Sequence, residues 1–299
     1  MALTNTGKVL ASYKNGNTEV TILEDGTKIR RFPESGAVVE HPESIDLKIT
    51  DWCDAGCKHC HESSTIKGKH AKFSDIQDML GHLPPGVEIA IGGGDPFSHP
   101  ELASILEWLK AKKFISNITV NGAHVEKHRH LITQLRFQGL FLGLGISYVS
   151  FLPYVIRDIL YYDKIKLADD NTIIHFIAGV DTINDLAETL KWHKKVLILG
   201  YKEWGRGKTI DIDRVNANLK QWRYWLPSLL ASGHFCFDNL ALTQLELERR
   251  LPSNLWKKHF MGKDGEFTMY VDAVSKRVSV NSTSVRKAGL VKLESIRRP

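Results

Sequence analysis

The chain has 299 residues, of which 42% are hydrophobic and 25% charged, and this balance is typical of a globular protein. No apolar run approaches the roughly 18 residues of a membrane span, and residues 1–17 lack the apolar stretch of a signal peptide. Three of the four cysteines are clustered, which fits a reducing compartment better than a disulfide-bonded protein. These observations predict a cytoplasmic protein without a membrane segment. The net charge of +6 permits an anionic partner, but the basic residues are scattered, so nucleic-acid binding is not favoured.

The amino-terminal segment alternates apolar and polar residues around two turn dipeptides, Asn15-Gly16 and Asp25-Gly26. Such dipeptides favour hairpin turns, because asparagine and glycine adopt the positive φ angles that these turns need. We therefore predict an antiparallel β-meander within residues 1–40, as an extension that covers one edge or end of the main domain.

From residue 44, strand-like and helix-like segments alternate along the chain. The predicted strands cover 44–50, 87–91, 117–120, 141–146, 172–177 and 196–199, and the predicted helices cover 73–83 (capped by Ser74), 100–112, 125–138, 152–161, 183–193 and 213–230. Successive strand–helix units favour parallel strands joined by right-handed crossovers. The predicted fold class is α/β, with a partial (β/α)6 TIM-like barrel over residues 44–230.

The carboxy-terminal segment, residues 231–299, loses this alternation. It predicts a strand at 234–240, short helices at 244–250 and 253–260, and a hairpin formed by 267–272 and 277–281. We expect an α+β extension that covers the barrel and its substrate side.

The first strand of the predicted barrel leads directly into the loop that holds Cys53, Cys57 and Cys60. Thiolate is a soft ligand that binds zinc, copper(I) or iron–sulfur clusters. A closed structural site takes four protein ligands, so three cysteines leave one coordination position for a ligand that is not protein. Two other interpretations remain open here: a small zinc site completed by His59 or His61, and a chance cluster of buried thiols.

A Cys-x3-Cys-x2-Cys pattern directly after a predicted strand resembles the cluster-binding loop of the radical S-adenosylmethionine superfamily. The resemblance implies that Cys53, Cys57 and Cys60 hold a [4Fe-4S] cluster, whose fourth iron binds the amino and carboxylate groups of S-adenosylmethionine. The family has an aromatic residue just before the third cysteine, and His59 occupies that position.

Residues at later strand ends resemble further motifs of this family, at the end of the barrel where active sites lie. Gly93-Gly94-Asp95 resembles the Gly-Gly-Glu motif that contacts the methionine amino group, although its acid is one methylene shorter. The resemblance implies that Asn121 and Ser147 contact the ribose or methionine groups and that Gly200-Tyr201 contacts the adenine. Turn-forming and helix-capping roles are the competing interpretations. For His175, Lys202 and Arg206 we weigh contact with the bound anion against a structural or solvent-facing role.

The zinc interpretation explains the cysteines but not the glycine motif or the barrel, so the radical S-adenosylmethionine interpretation is favoured. It implies an enzyme in which an external one-electron donor, flavodoxin- or ferredoxin-like, reduces the cluster. Reductive cleavage of S-adenosylmethionine then gives a 5'-deoxyadenosyl radical that abstracts hydrogen from a substrate. After Cys60 only Cys236 remains, so we expect no auxiliary clusters.

Three alternatives for the function remain open. A peptide or protein side chain as substrate suits a single-cluster architecture, and a nucleotide or nucleic acid suits the positive charge. A zinc- or cluster-stabilised binding module without turnover is the third alternative.

Cys236 lies between Phe235 and Phe237, where a small buried hydrophobe is the ordinary role. The sharper hypothesis is that it faces the barrel interior and donates a hydrogen atom to a substrate radical, as in peptide epimerases of the superfamily.

Overall fold

The computed structural model of the protein describes residues 7–150, 171–260 and 262–284. Within these residues the chain forms a three-stranded antiparallel sheet and a nine-stranded sheet. Helices cover one face of the large sheet through a continuous apolar core. This mixed α/β architecture is a partial TIM-like barrel, and it confirms the predicted fold class. The predicted helix at 152–161 lies outside the described residues.

The small sheet is the predicted meander. Its strands are β1 (Val9–Asn15), β2 (Thr18–Leu23) and β3 (Lys28–Arg31). Gly16 has φ +61, and a Cβ added there would lie 2.0 Å from the Val38 carbonyl oxygen, so the turn requires glycine. Val20 and Ile22 are fully buried and pack against Ile115 of the large sheet, which fixes the meander to the main domain.

The large sheet contains the six predicted barrel strands and three more. Its strands are β4 (Ser44–Thr50), β5 (Glu88–Gly93), β6 (Ile115–Asn121), β7 (Gly143–Ser147), β8 (Thr172–Ile177), β9 (Lys195–Leu199), β10 (His234–Phe237), β11 (Thr268–Asp272) and β12 (Arg277–Ser279). Their order is β10-β9-β8-β7-β6-β5-β4-β11-β12. All neighbours from β10 to β11 are parallel, and β12 is antiparallel to β11. The carboxy-terminal segment therefore extends the barrel sheet at both edges, and its treatment as a separate domain stays a prediction.

The large sheet curls around one face, which we call the inner face. Ile45, Leu47 and Ile49 of β4 are buried against the helices, so the alternating residue Asp46 points to the inner face. Enclosure by the surrounding protein raises the pKa of Asp46, the charge of Lys202 lowers it, and the charge of Asp238, which follows β10, raises it. A flat sheet would separate β4 from β10 by about 29 Å, beyond the reach of such an interaction, so the curvature brings the two carboxylates towards each other.

The helices of the described residues largely follow the prediction but are shorter. They are α1 (Phe73–Leu80), α2 (Leu102–Ala111), α3 (Val125–Phe137), α4 (Ile183–Thr189), α5 (Ile212–Leu229), α6 (Asn239–Gln244), α7 (Leu247–Arg250) and α8 (Ser253–His259). Ser74 is not the cap of α1, because Phe73 is already helical and packs against Trp108 of α2. None of these described helices is long and apolar enough to cross a membrane.

Two predicted elements near the carboxy terminus are divided differently in the structure. The strand predicted at 234–240 stops earlier, because the Asp238 side chain accepts the Ala241 N–H and caps α6. The helix predicted at 244–250 is wrong as one element, because Glu246 has φ +53 and interrupts it between α6 and α7.

Candidate functional site

The cysteine loop lies at the carboxyl end of β4, where the chain leaves the sheet after Thr50. Cys53, Cys57 and Cys60 are all free thiols and half-buried. The loop folds back on itself, since the Cys53 N–H donates to the Thr65 carbonyl at 3.0 Å and the Cys60 N–H to the Cys57 carbonyl at 3.3 Å. The structure thus holds the three predicted metal ligands in one compact loop.

The glycine loop after β5 packs directly on the cysteine loop through its main chain. The Gly94 N–H donates to the Thr50 carbonyl and the Asp95 N–H to the Trp52 carbonyl, both at 2.7 Å. A Cβ would lie 2.4 Å from the Thr50 oxygen at Gly93, where φ is +113, and 2.2 Å from the Trp52 oxygen at Gly94. This close approach of the two loops requires glycine at both positions.

Asn121 at the end of β6 contacts the cysteine loop. Its Nδ2 donates to Cys57 Sγ at 3.2 Å, and its Oδ1 accepts the Ala123 N–H at 2.9 Å. Burial and the neighbouring Cys60 raise the pKa of the Cys57 thiol, whereas the Asn121 hydrogen bond lowers it. Asn121 therefore forms the turn proposed for it and also donates to a predicted cluster ligand.

The Asp95 carboxylate is fully buried among neighbouring side chains. Its Oδ2 accepts hydrogen bonds from Ser98 Oγ at 2.6 Å and from His128 Nε2 at 2.7 Å. Burial raises the pKa of Asp95, but these two hydrogen bonds outweigh it and hold the pKa below its ordinary value. The carboxylate is therefore ionised, with Oδ2 held by two donors and Oδ1 without a hydrogen-bond partner among the described residues.

Arg206, in the segment that follows β9, is hydrogen-bonded to the cysteine loop. Its Nε donates to the Cys57 carbonyl and its Nη1 to the Ser64 carbonyl, both at 2.8 Å, and its main-chain N–H donates to the Cys60 carbonyl at 3.0 Å. These contacts show the structural role weighed for Arg206, and its contact with a bound anion stays a prediction. Sequence patterns gave no signal for these hydrogen bonds, because the two segments lie far apart in the chain.

His59, the residue predicted to take the family's aromatic position, is half-buried between Cys57 and Cys60. Burial and the positive charges of His61 and Arg206 lower its pKa, so its imidazole is neutral at pH 7. Its contact with a cofactor stays a prediction.

Gly200 and Tyr201 after β9 take part in internal contacts. The Gly200 N–H donates to Asp238 Oδ1 at 2.9 Å, and a Cβ at Gly200 would lie 2.4 Å from Leu240 Cγ. The Tyr201 N–H and carbonyl both bond to the Gln244 amide at 2.8 Å, and its buried hydroxyl donates to a main-chain carbonyl. The predicted adenine contact of this pair stays a prediction, and the described hydrogen bonds account for a structural role.

One row of residues crosses the inner face from the cysteine loop to the sheet edge. Asn121 pairs with Ser147, Ser147 with His175, His175 with Leu197, and Leu197 with Cys236. Burial lowers the pKa of His175 to about 4, so its imidazole is neutral. Cys236 is solvent-accessible at the far end of the row, which excludes the role of a small buried hydrophobe and agrees with the inward orientation hypothesised for it.

A lysine-centred ion network, which sequence analysis missed, ties the cysteine loop to the carboxy-terminal hairpin. Lys48 Nζ lies 2.5 Å from Asp51, 2.8 Å from Glu62 and 3.3 Å from Asp272, and Tyr270 donates to Glu62 at 3.0 Å. Burial lowers the pKa of Lys48, but these carboxylates outweigh it and hold the pKa above its ordinary value. The one sign of this network in the sequence is the presence of a lysine within the predicted strand at 44–50.

The residues of the two loops fit a cluster with a further ligand better than a zinc ion. Among the described residues, one group of His, Cys, Asp and Glu has ligand atoms that all lie within 4.8 Å of one another, and it is Asp95, His124 and His128, not the cysteines. A single zinc ion at about 2.3 Å from each sulfur needs closer thiols. A Cβ on Gly92 would meet nothing within 4 Å, so the glycine loop has open space on one side.

Comparisons with known proteins agree with this geometry. A family model described as the Radical SAM superfamily matches residues 47–197. Streptococcus suis SuiB bound to the precursor peptide SuiA has a TM-score of 0.62 and 12% identity, covering 87% of this chain and 66% of that chain. SuiB bound to S-adenosylmethionine has a TM-score of 0.58 and 12% identity, covering 85% and 63%. At this identity the likeness shows the fold alone, and the chain spans about two thirds of the SuiB length. No curated protein sequence matches.

Proposed function

The chain belongs to the radical S-adenosylmethionine superfamily, whose members are enzymes that use a [4Fe-4S] cluster and S-adenosylmethionine, and we propose that this enzyme acts on a peptide or protein side chain. The observation that carries the proposal is the inner-face row that leads from Asn121, beside the cysteine loop, to the accessible thiol of Cys236. At about 4.8 Å per strand, the row spans about 19 Å measured along the sheet, which leaves room for a cofactor and a substrate side chain.

The cofactors would be held by the two loops at the carboxyl ends of β4 and β5. Cys53, Cys57 and Cys60 would bind the cluster, with the main chain of the glycine loop beside S-adenosylmethionine. When bound, and reduced by an external flavodoxin- or ferredoxin-like donor, these groups supply a 5'-deoxyadenosyl radical that abstracts hydrogen from the substrate. The chain itself fixes the ligand loop through Arg206 and donates a hydrogen bond to a ligand sulfur through Asn121.

We assign Cys236 the return of a hydrogen atom to the substrate radical. The surrounding protein raises the pKa of this solvent-accessible thiol, so the S–H bond is intact at neutral pH. In this step the S–H bond breaks and a C–H bond forms on the substrate. The sulfur radical left behind takes one electron from the external donor and one proton from solvent.

Two observations favour a peptide over a nucleic acid. The fold resembles that of SuiB, which has been solved with the precursor peptide SuiA. The basic residues behind the net charge of +6 are scattered along the chain rather than clustered in one segment, so the charge does not identify a nucleic-acid substrate.

The first experiment is anaerobic reconstitution followed by iron and sulfide analysis and a test for 5'-deoxyadenosine after reduction by dithionite. We expect about four irons per chain, as the [4Fe-4S] assignment requires, and S-adenosylmethionine cleavage that needs the reductant. Zinc without iron, or a cluster that never cleaves S-adenosylmethionine, would contradict the enzymatic proposal.

The substrate class is tested in deuterated water with short peptides encoded beside the gene and, in parallel, an RNA oligonucleotide. We expect deuterium in a peptide product with the wild-type enzyme, and its loss in Cys236→Ala while 5'-deoxyadenosine still forms. His234→Ala, an exposed change on the same strand, is the matched control and should keep the deuterium. Unchanged incorporation in Cys236→Ala would refute the role of the thiol, and conversion of RNA alone would refute the peptide.

A further inference from the structure

The acidic residue of the glycine loop is enclosed within the protein. The Asp95 side chain is 0% exposed, and its Oδ2 accepts from Ser98 Oγ at 2.6 Å and from His128 Nε2 at 2.7 Å. Phe97 stacks on the His128 ring with centroids 5.6 Å apart. A ligand beside the two loops cannot reach this carboxylate unless the packing opens.

A chain of polar contacts leads from Asp95 back to the cysteine loop. His124 Nδ1 lies 3.5 Å from Asp95 Oδ2, and His124 Nε2 lies 2.8 Å from Oδ1 of Asp54, the residue after the first cysteine. Lys127 Nζ lies 2.9 Å from Asp54 and 3.7 Å from Asp95. His124, Lys127 and His128 belong to the turn and first helical residues after β6. The carboxylate thus joins the segments that follow β4, β5 and β6.

We infer that Asp95 is a positioning residue, which ties the glycine loop and the start of α3 to the cysteine loop and does not contact the amino group of S-adenosylmethionine. This inference rests on the proposed cluster and S-adenosylmethionine site. The accessible part of the loop is main chain, since Gly93 is exposed and the space beside Gly92 is open. The glycine loop therefore presents main chain, and not this carboxylate, to a ligand.

The length of the side chain agrees with this role. Asp95 is held at hydrogen-bond distance by Ser98 three residues ahead and by His128 across the loop, so an added methylene has no space between them. Asp95→Asn removes the charge at nearly constant shape: the amide oxygen can accept from Ser98 and His128, while the NH2 replaces Oδ1, which has no hydrogen-bond partner among the described residues, so a buried unpaired donor adds to the cost of the substitution.

The test compares wild type, Asp95→Asn and Asp54→Asn after anaerobic reconstitution. The measurements are the Kd for S-adenosylmethionine from calorimetry and from its effect on the electron paramagnetic resonance spectrum of the reduced cluster, and the rate of iron loss to a chelator. Asp95→Asn should change the Kd by less than about threefold and accelerate iron loss about fivefold to tenfold, because neutral hydrogen bonds are about half as strong as charged ones. Asp54→Asn should act in the same direction.

Opposite results separate the two roles of the acid. A Kd raised about tenfold or more in Asp95→Asn, with an unchanged rate of iron loss, would overturn the inference and make the carboxylate a ligand contact. The Asp54 side chain is 40% exposed, so we expect Asp54→Asn to fold even where Asp95→Asn does not. An unchanged rate of iron loss in Asp54→Asn would also contradict the positioning role of Asp95.

Hydrogen–deuterium exchange of the cluster-free proteins distinguishes failure of this inference from failure of the proposed function. Both variants should exchange faster than wild type at residues 53–60 and 122–128, whether or not a cluster assembles. A wild-type protein that binds neither iron nor S-adenosylmethionine would reject the proposed function. Equal hydrogen–deuterium exchange in all three proteins would reject the positioning role of Asp95.

Discussion

Replacing Arg206 with alanine is expected to loosen the cysteine loop while the barrel stays folded. Two of its guanidinium nitrogens donate to the carbonyls of Cys57 and Ser64 at 2.8 Å. Hydrogen bonds from a charged donor contribute about 1.5–3 kcal/mol each, and the half-buried site favours the lower end of that range. The two together amount to about 3 kcal/mol, which raises the population of the open loop about 10²-fold.

The effect is local, because the loop opens without exposing the apolar core. We expect faster hydrogen–deuterium exchange at residues 53–64 and faster alkylation of Cys57 and Cys60 in the cluster-free protein, with a small change in Tm. Arg206→Lys keeps the charge but reaches one carbonyl at a time, so its effect should be intermediate. Lys208→Gln is the control, since Lys208 is exposed on the same turn and its cation lies over the Trp204 ring. Exchange at residues 53–64 that is equal in Arg206→Ala and wild type would refute the reasoning.

Three further predictions concern other contacts of the structure. Gly94→Ala places a Cβ 2.2 Å from a cysteine-loop carbonyl and should cost about 1–3 kcal/mol in urea unfolding, whereas Gly92→Ala, whose Cβ meets nothing, should not. Asn121→Val removes the hydrogen bond to Cys57 Sγ, which raises the thiol pKa and should slow alkylation of the cluster-free protein about threefold to tenfold at pH 8. Burial raises the pKa of Asp181 to about 7 from 3.8, so its contribution to stability is full below pH 4 and is lost as pH rises through 7. The Tm of Asp181→Asn relative to that of wild type should therefore rise between pH 5 and pH 8. A Tm difference that stays constant over this range would contradict the prediction.

The barrel was predictable because its signals are local. Strand and helix periods recur from residue 44, and they place each strand end where a functional residue follows. The pairing of β11 with β4 was not predictable, because parallel partners more than 200 residues apart leave no local pattern. Helix ends were less accurate than helix positions, as Phe73 and Glu246 show, since packing and a single positive φ decide them.

The sequence predicts the metal ligands of the candidate site but not the residues that position the ligand loop. Cys53, Cys57 and Cys60 carry a spacing that can be recognised in the sequence alone. Arg206 and Asp95 have no such spacing, because their roles depend on which side of a loop the side chain points to. His124 and His128 offered one signal, since residues four apart share a helix face, but their acidic partner could only be found in three dimensions.

The two loops are joined mainly through the main chain, and this changes what the acid of the glycine motif must do. The Gly94 and Asp95 N–H groups already hold the glycine loop on the cysteine loop at 2.7 Å, so the geometry beside the cluster ligands is set before any side chain acts. An acid whose carboxylate reached the ligand would leave His128 buried without its partner, at a cost of about 1–3 kcal/mol. With aspartate the carboxylate satisfies His128 and the ligand side is left to the main chain. An aspartate at this position is therefore compatible with an S-adenosylmethionine site in which the main chain of the glycine loop, and not the carboxylate, faces the ligand.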